Sequence, residues 1–272
     1  MPDTAPPDWQ QAFSQMLYWK WEGEPRDSSV QADVGFMERE LALSPGARVL
    51  DLGCGLGWYA IELARRGYDV IALDWSVHYL QEARRRAEEA GVTVHFVRGD
   101  MAKLEYADEF DFVLLWGNTF GMLSDEDNRA TLRGMARALA ADGRALIWTQ
   151  NYTALPSKQE KSWDFPEDMP DWLYLSESTR DVLNGRFGFT ITAIHLPTGE
   201  RIRLPFSWRL YLTPELRCIV ADAGLELLGI YGDDPTVIDW KRYRRGDPAP
   251  YATAAFTDEC AVRTLLCRRS DR

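Results

Sequence analysis

The sequence predicts an α/β fold, in which a doubly wound, mostly parallel sheet carries helices on both faces and is joined by a β-rich insertion. Short apolar segments alternate with segments of helical period between residues 47 and 150. Buried strands that are joined by helices form parallel sheets covered on both faces. The insertion is predicted because this alternation stops between residues 151 and 212.

The first predicted strand leads into a glycine-rich turn. Residues 49–52 form the apolar strand, glycines occupy positions 53, 55 and 57, and a helix is predicted from about Trp58 to Arg66. Glycine permits a positive φ and lets a ligand lie against the main chain, and the first N–H groups of the helix point into the same space. Asp51 adds a carboxylate, which a phosphate would not need but an ammonium group would.

The other elements of the sheet follow from hydrophobic period and capping residues. Ser76 and Ser124 are good N-caps for the helices after the second and fourth strands. Carboxylates at positions 125–127 favour the positive end of the second of these helices. The two helices are predicted to end at Gly91 and near Asp142. Strands are predicted at residues 70–74, 94–98, 110–115 and 144–149.

The second half of the chain has a different pattern. Prolines mark an irregular acidic loop around residues 156–170, and extended segments at 180–196 and 201–206 flank a turn at 196–199. A helix is predicted from Thr213 as N-cap, with a proline at its first position, to Gly224. Residues 225–231 and 261–267 are predicted to be the last two strands.

Composition excludes some functional classes. The chain has 272 residues, 46% of them hydrophobic, and a net charge of −11. This charge argues against a nucleic-acid substrate, which needs a basic face, and the basic runs at 84–86 and 241–245 are interpreted as solvated. We expect no membrane segment and no signal peptide. The four cysteines lack metal-ligand spacing, so we expect no metal and a reduced, cytoplasmic protein.

Four segments, at residues 47–58, 70–74, 94–101 and 110–118, resemble in this order the motifs of class I methyltransferases that use S-adenosylmethionine. The resemblance is close over residues 45–150 and loose over 213–268. It implies a seven-stranded sheet with an antiparallel edge, and S-adenosylmethionine as cofactor, with S-adenosylhomocysteine as product. It also implies three parts of the chain: an N-terminal helical lid (1–45), a core (46–150 and 213–272) and the insertion (151–212), which would be a substrate cap or a dimer interface. The alternative for the N-terminal segment is that it packs on the core.

The resemblance assigns roles to the ends of the strands. Asp51 would hold the amino group of the cofactor, Asp74 both ribose hydroxyls, and Asp100 the adenine amine. Trp75 would pack on the adenine face, and Cys54 is interpreted as a small residue packed in the turn. The implied cofactor-binding residues are Asp51, Gly53, Cys54, Gly55, Gly57, Asp74, Trp75, Gly99, Asp100, Met101 and Trp116.

The acceptor side carries weaker signals. Methyl transfer needs alignment more than a fixed catalytic group, and the catalytic residue stays unassigned, with His195 and Tyr18 as weak candidates for a base. Arg209 is interpreted as a clamp for a carboxylate or phosphate, or as a partner of the acidic loop. The candidates for acceptor binding are Tyr18, Trp19, Asn118, Phe120, Arg209 and Tyr211.

Several functions stay open at this point. Residues 116–123 are similar to those of enzymes that act on small molecules, so we expect a small-molecule acceptor methylated at O, N or C, and a possible homodimer. A protein or RNA acceptor, or a non-catalytic S-adenosylmethionine-binding partner, is the alternative. A nicotinamide-dependent oxidoreductase fits less well, because Trp58 replaces the third glycine of that pattern and Asp51 would repel a pyrophosphate.

Overall fold

The computed structural model describes residues 9–13, 27–151, 160–165, 169–232, 254–256, 260 and 262–270. Its helices are α1 (Trp9–Phe13), α2 (Asp27–Leu41), α3 (Trp58–Arg65), α4 (Val77–Glu89), α5 (Asp125–Ala138) and α6 (Thr213–Asp222). The strands of the main sheet are β1 (Arg48–Leu52), β2 (Asp69–Asp74), β3 (His95–Arg98), β4 (Phe110–Leu115), β5 (Leu139–Gln150), β10 (Leu225–Gly232), β11 (Ala254–Ala255) and β12 (Val262–Arg269). A second sheet contains β6 (Lys161–Asp164), β7 (Trp172–Asp181), β8 (Arg186–His195) and β9 (Arg201–Arg209).

The main sheet confirms the predicted doubly wound fold. Its order is β11-β10-β12-β5-β4-β1-β2-β3, with β1 to β5 parallel and β12 antiparallel to both β5 and β10. Seven strands form the body of the sheet, and the two-residue β11 extends its antiparallel edge. The strand order reverses between β1 and β4, where ligands of open α/β sheets bind.

Two apolar clusters cover the faces of this sheet. On one face, Leu132 and Met135 of α5 and Ile219 of α6 pack against the strands. On the other face, α2, α3 and α4 contribute, with Phe36 and Met37 of α2 fully buried. Helix α2 is therefore part of the core, which was the alternative for the N-terminal segment.

The insertion forms the antiparallel sheet β6-β7-β8-β9. One face buries a third apolar cluster that includes Tyr174, Ile191 and Phe206. Helix α1 packs against this cluster, with the ring of Phe13 5.5 Å from that of Phe206, and the Ser76 hydroxyl donates to the Phe13 carbonyl (2.9 Å). The short helix α1 thus connects the insertion to the N-terminus of α4.

Three predicted boundaries were wrong. Helix α5 ends at Ala138 instead of near Asp142, because Leu139 already pairs with Phe110 and the following residues form a bulge within β5. Residues 180–196 are not one extended segment, since β7 and β8 pair as a hairpin that turns between Asp181 and Arg186.

The third concerns the start of α6, where Leu212 occupies the cap position instead of Thr213. The N–H of Leu212 donates to the Glu215 carboxylate (2.7 Å), and the Thr213 hydroxyl accepts from Arg263 (3.1 Å) instead. None of the described helices is both long and apolar enough to cross a membrane.

Candidate active site

The glycine turn after β1 requires glycine for two reasons. Gly53, Gly55 and Gly57 all have positive φ, at +68°, +55° and +80°, where other residues are strained. In addition, a Cβ atom on Gly53 would lie 2.8 Å from the Thr119 Cγ2 atom, and one on Gly57 would lie 3.1 Å from the Ala83 Cβ atom. The turn is therefore packed tightly against its own fold, besides offering its main chain to a ligand.

Asp74, at the end of β2, fastens this turn. Its carboxylate accepts from the N–H of Gly55 (2.9 Å) and from the N–H of Ser76 (2.8 Å). Burial raises the pKa of Asp74, whereas these backbone donors lower it. Each carboxylate oxygen has a second lone pair, so the side chain retains acceptor capacity for two hydroxyl groups.

Asp51 is a buried carboxylate that lacks a full set of partners. It is 3% exposed, and within the described part of the chain its Oδ2 atom has no hydrogen-bond partner. Burial, together with the nearby charge of Asp74, raises the pKa of Asp51 to about 7. A ligand that brings an ammonium group would supply both the missing donor and the missing charge.

The ends of β2 and β3 present the residues expected to surround an adenine. Asp100 caps the short 3₁₀ helix that begins at Met101, with its Oδ1 atom accepting from the Ala102 N–H (3.0 Å), and it also pairs with Lys103 (3.3 Å). Gly99 lies against the Leu73 side chain, where a Cβ atom would be 2.8 Å away. Asp100 thus lies just after β3 and caps this helix, and its contact with the adenine amine stays a prediction.

Two predicted cofactor residues make other contacts. The ring of Trp75 lies edge-on to Trp9 of α1 at 5.4 Å, which places the N-terminal segment beside the predicted adenine position. Cys54 is buried in the turn, its N–H donates to the Leu73 carbonyl (3.1 Å), and burial raises the pKa of its thiol well above 9.0. These contacts agree with a packing role for Cys54.

A polar pair joins the ends of β4 and β5. Gln150 Nε2 donates to Asn118 Oδ1 (2.7 Å), and the Asn118 carbonyl accepts from Trp208 Nε1 of β9 (2.8 Å). Gln150 is 7% exposed, and its Oε1 atom has no hydrogen-bond partner among the residues that the structure describes. Gln150 was missed from the sequence, although its position at the end of a parallel strand was the available signal.

Three other acceptor candidates lie in or beside the core. Phe120 packs against the ring of Tyr211 (5.6 Å), whose hydroxyl donates to Asp125 (3.1 Å). Among the described residues, which include only part of the acidic loop, Arg209 donates to Glu215 (2.8 Å) and pairs with Asp125 (3.4 Å). These contacts favour structural roles for all three, and acceptor binding by them stays a prediction.

The candidates for a catalytic base gain no support. His195 ends β8 beside the β8–β9 turn, where its Nδ1 atom lies 2.8 Å from the Thr198 hydroxyl and its ring contacts Trp172. The opposite end of the hairpin is joined to the core, because the backbone N–H of Arg209 donates to the Gly121 carbonyl (2.7 Å). Tyr18 and Trp19 lie outside the described residues.

Comparison with known proteins matches this geometry. Residues 49–143 match the model of a methyltransferase domain family. The chain is 30% identical, over 194 residues, to the cypemycin N-terminal methyltransferase of Streptomyces sp.. The matched region is 69% of this chain and 76% of that protein. The chain belongs to the S-adenosylmethionine-dependent methyltransferases.

A second curated relative and a solved structure are also similar to this chain. The glycine/sarcosine N-methyltransferase of Aphanothece halophytica is 33% identical over 118 residues, 42% of this chain and 44% of that protein. The chain thus spans about half the length of some curated relatives. The solved structure of the CcbJ methyltransferase from Streptomyces caelestis has a TM-score of 0.75 at 21% identity, covering 97% of this chain and 99% of that one.

The cofactor of this family is S-adenosylmethionine, and the site fits it. The unpartnered Asp51 Oδ2 atom suits its ammonium group, and the remaining lone pairs of Asp74 suit a pair of ribose hydroxyls. The three glycines leave the main chain of the turn open at positions 53, 55 and 57. Trp58 at the start of α3, where a dinucleotide site needs glycine, agrees with the poorer fit of a nicotinamide cofactor.

Proposed function

We propose that this methyltransferase transfers a methyl group to the amine nitrogen of a small-molecule acceptor. The observation that supports an acceptor with an amine group is the buried Gln150 Oε1 atom, which lies beside Asn118 and has no described hydrogen-bond partner. A buried acceptor atom without a donor is unfavourable unless a ligand supplies one. An N–H or an O–H group of the acceptor would supply it.

The chemistry of Gln150 favours nitrogen over oxygen. A neutral amine can donate one N–H to the Gln150 amide and still present its lone pair to the methyl group. A hydroxyl group needs a base to remove its proton, and an amide is not a base. One of the curated relatives described above is named a glycine/sarcosine N-methyltransferase and the other an N-terminal methyltransferase, which supports the same choice.

The residues of the chain mainly bind, orient and exclude water. We assign the ammonium group of the cofactor to Asp51, the ribose hydroxyls to Asp74 and the adenine amine to Asp100. When bound, S-adenosylmethionine supplies an activated methyl group and a neutral leaving group. Asn118 and Gln150 would hold the nucleophilic nitrogen in place, and the methylated ammonium would release its extra proton to water.

An acceptor screen by mass spectrometry tests the proposal. The panel contains primary and secondary amines, namely amino acids, amino sugars and short peptides with free N-termini, each with a matched analogue that has a hydroxyl group in place of the amine. We expect methylated products from amines only. Equal methylation of the hydroxyl analogues, or of protein or RNA but of no amine, would contradict the proposal.

A variant of Gln150 tests the observation itself. With an amine found in the screen, Gln150→Leu should raise the acceptor KM by about tenfold or more, because one hydrogen bond to a buried group is lost. The affinity for S-adenosylhomocysteine should stay within about twofold. Gln81→Leu, the same change at an exposed position of α4, is the control and should change neither quantity.

Three broader expectations stay proposals. A lid formed by the part of the N-terminal segment before α2 is supported by the contacts of α1 with both Trp75 and the insertion. The homodimer is supported by the exposed Trp163, Phe165 and Leu175 side chains on β6 and β7 or next to them, and sedimentation velocity of Trp163→Lys against the native protein tests it. A cytoplasmic location is supported by the four free cysteines.

A further inference from the structure

A second buried carboxylate, Asp33, lies near the glycine turn and was not anticipated from the sequence. It belongs to α2 and is 2% exposed. The hydroxyl of Tyr59 donates to its Oδ2 atom (2.9 Å), and the indole of Trp116 provides a second hydrogen bond. Asp33 therefore joins three elements: α2, the start of α3 and the residue after β4.

The position of these partners places Asp33 beside the cofactor site. Tyr59 is the second residue of α3, two positions after the last glycine of the turn. Trp116 follows β4, in which Leu114 pairs with Asp51. Since residues two apart along a strand share a face, Trp116 lies on the same face of the sheet as Asp51. The Tyr59 and Trp116 rings are 6.2 Å apart.

Packing alone does not account for Asp33. Burying a carboxylate is costly, and an apolar residue of similar size would serve the core at least as well. Among the residues that the structure describes, no Lys, Arg or His forms an ion pair with Asp33. Burial raises the pKa of Asp33 well above 3.8, and the bonds from Tyr59 and Trp116 lower it. A buried carboxyl group thus lies beside aromatic rings, and among the described residues no cation balances its ionised form.

We propose that Asp33 is a positioning residue that holds Trp116 and Tyr59 as one wall of the cofactor site and makes this wall favour the cationic sulfonium over the neutral thioether of the product. A buried charge acts strongly on a nearby cation because the local dielectric constant is low. Aromatic faces attract cations as well. Loss of the sulfonium charge on methyl transfer would therefore weaken binding and promote release of the product.

The inference rests on the proposed cofactor site but not on the proposed acceptor. It is tested with two probes that need no acceptor: S-adenosylhomocysteine, and sinefungin, which carries an amino group in place of the sulfonium methyl and is cationic. Calorimetry at pH 8 gives the affinity ratio of the two probes. In the native protein we expect sinefungin to bind at least about tenfold more tightly.

The Asp33→Asn variant removes the charge and keeps the shape. We expect this variant to weaken the binding of sinefungin by about tenfold more than the binding of S-adenosylhomocysteine. Tyr59→Phe removes one hydrogen bond but keeps the charge, so both affinities should fall together and their ratio should stay within about twofold. A ratio that Asp33→Asn leaves unchanged would overturn the proposal, because a purely structural role affects both probes alike.

The native protein provides a second test if Asp33→Asn does not fold. A native affinity for sinefungin equal to or weaker than that for S-adenosylhomocysteine overturns the charge effect without any variant. Failure to bind either probe would overturn the cofactor site and this inference together. Binding of both probes with the expected ratio, but no methylated amine in the acceptor screen, would contradict only the proposed acceptor.

Discussion

At the scale of single residues, Asp51 shows how a binding site can cost stability. Its pKa is raised from 3.8 to about 7 because the carboxylate is buried next to Asp74. A carboxyl group whose pKa is higher in the folded state stabilises the fold less as the pH rises, so the free energy of unfolding should fall between about pH 4 and pH 7. Above pH 7 the free energy of unfolding stays at its lowered value, because Asp51 is ionised there in both states.

Asp51→Asn should therefore stabilise the free protein at pH 8. We expect a gain of about 2–4 kcal/mol, which is the order of magnitude of a shift of about three pKa units. Urea denaturation of both proteins at pH 8 and pH 4 measures it, and the gain should nearly vanish at pH 4, where native Asp51 is protonated. Equal stability of the two proteins at pH 8 would show that the buried charge of Asp51 does not destabilise the fold.

The same carboxylate predicts the pH dependence of cofactor binding. An ammonium group binds the ionised form of Asp51, so affinity for S-adenosylhomocysteine should fall as the pH decreases below about 7, by up to about tenfold per pH unit. Calorimetric titrations from pH 5.5 to 8.5 measure this slope. In Asp51→Asn the affinity should be lower throughout and this slope should be lost; an unchanged slope would assign the titration to another group.

Asp74→Ala should weaken binding of S-adenosylhomocysteine by about 2–3 kcal/mol, because two hydrogen bonds to a charged acceptor are lost. Asp111→Ala is the control, since Asp111 also accepts from a backbone N–H, that of Arg48 (2.8 Å), but at the opposite end of the strands. Affinity should not change in the control. An unchanged affinity in Asp74→Ala would remove Asp74 from the ribose site.

At the scale of elements, Gly121 joins the insertion to the core. Its φ is +97°, its carbonyl accepts from the Arg209 N–H at the end of β9 (2.7 Å), and a Cβ atom there would lie 2.4 Å from the Arg209 carbonyl oxygen. Because both contacts are backbone, neither side can move cheaply. The joint between β4 and the second sheet thus depends on the absence of a side chain at one position.

Gly121→Ala should lower the free energy of unfolding by about 3 kcal/mol or more, the sum of strain at positive φ and a backbone clash. Gly67→Ala is the control, since Gly67 also has a positive φ, +90°, but none of the described residues would lie within 4 Å of a Cβ atom there. It should cost about 1 kcal/mol. Urea denaturation measures both, and equal losses would show that φ alone matters.

At the scale of the whole molecule, Arg263 ties the insertion, the sheet edge and α6 together. It is 1% exposed, and its guanidinium donates to the carbonyls of Gln150 (2.8 Å) and Tyr211 (2.7 Å) and to the Thr213 hydroxyl. Burial lowers its pKa to about 10. The end of β5, which carries the proposed acceptor site, is therefore held in place from β12.

Arg263→Ala should lower the free energy of unfolding by about 2–5 kcal/mol, because it leaves two buried carbonyls without donors. Arg268→Ala on the same strand should cost less than about 1 kcal/mol, since the pair of Arg268 with Glu226 is exposed. Hydrogen exchange should rise at the β9–α6 junction in Arg263→Ala only. Similar stability in both variants would contradict a joining role.

Much of the fold was predictable because its signals are local. Buried strands, the serine caps of α4 and α5 and the glycine turn depend on a few neighbouring residues, and the structure places the caps as expected. The bulge in β5 and the cap of α6 were not predictable. They depend on Phe110 and Arg263, partners that lie far away in the sequence.

The sequence by itself determined the doubly wound sheet, the family and the positions of Asp51, Asp74 and Asp100, because a strand followed by glycine or a helix places the residues at or near its carboxyl end at the binding edge. Only the tertiary structure brought Asp33 to Trp116 and Gln150 to Asn118. Asp33 lies within an ordinary helix, and nothing in its neighbours marks it. Its environment is set by packing between distant segments, which determines burial and hydrogen-bond partners and hence the charge that a ligand meets.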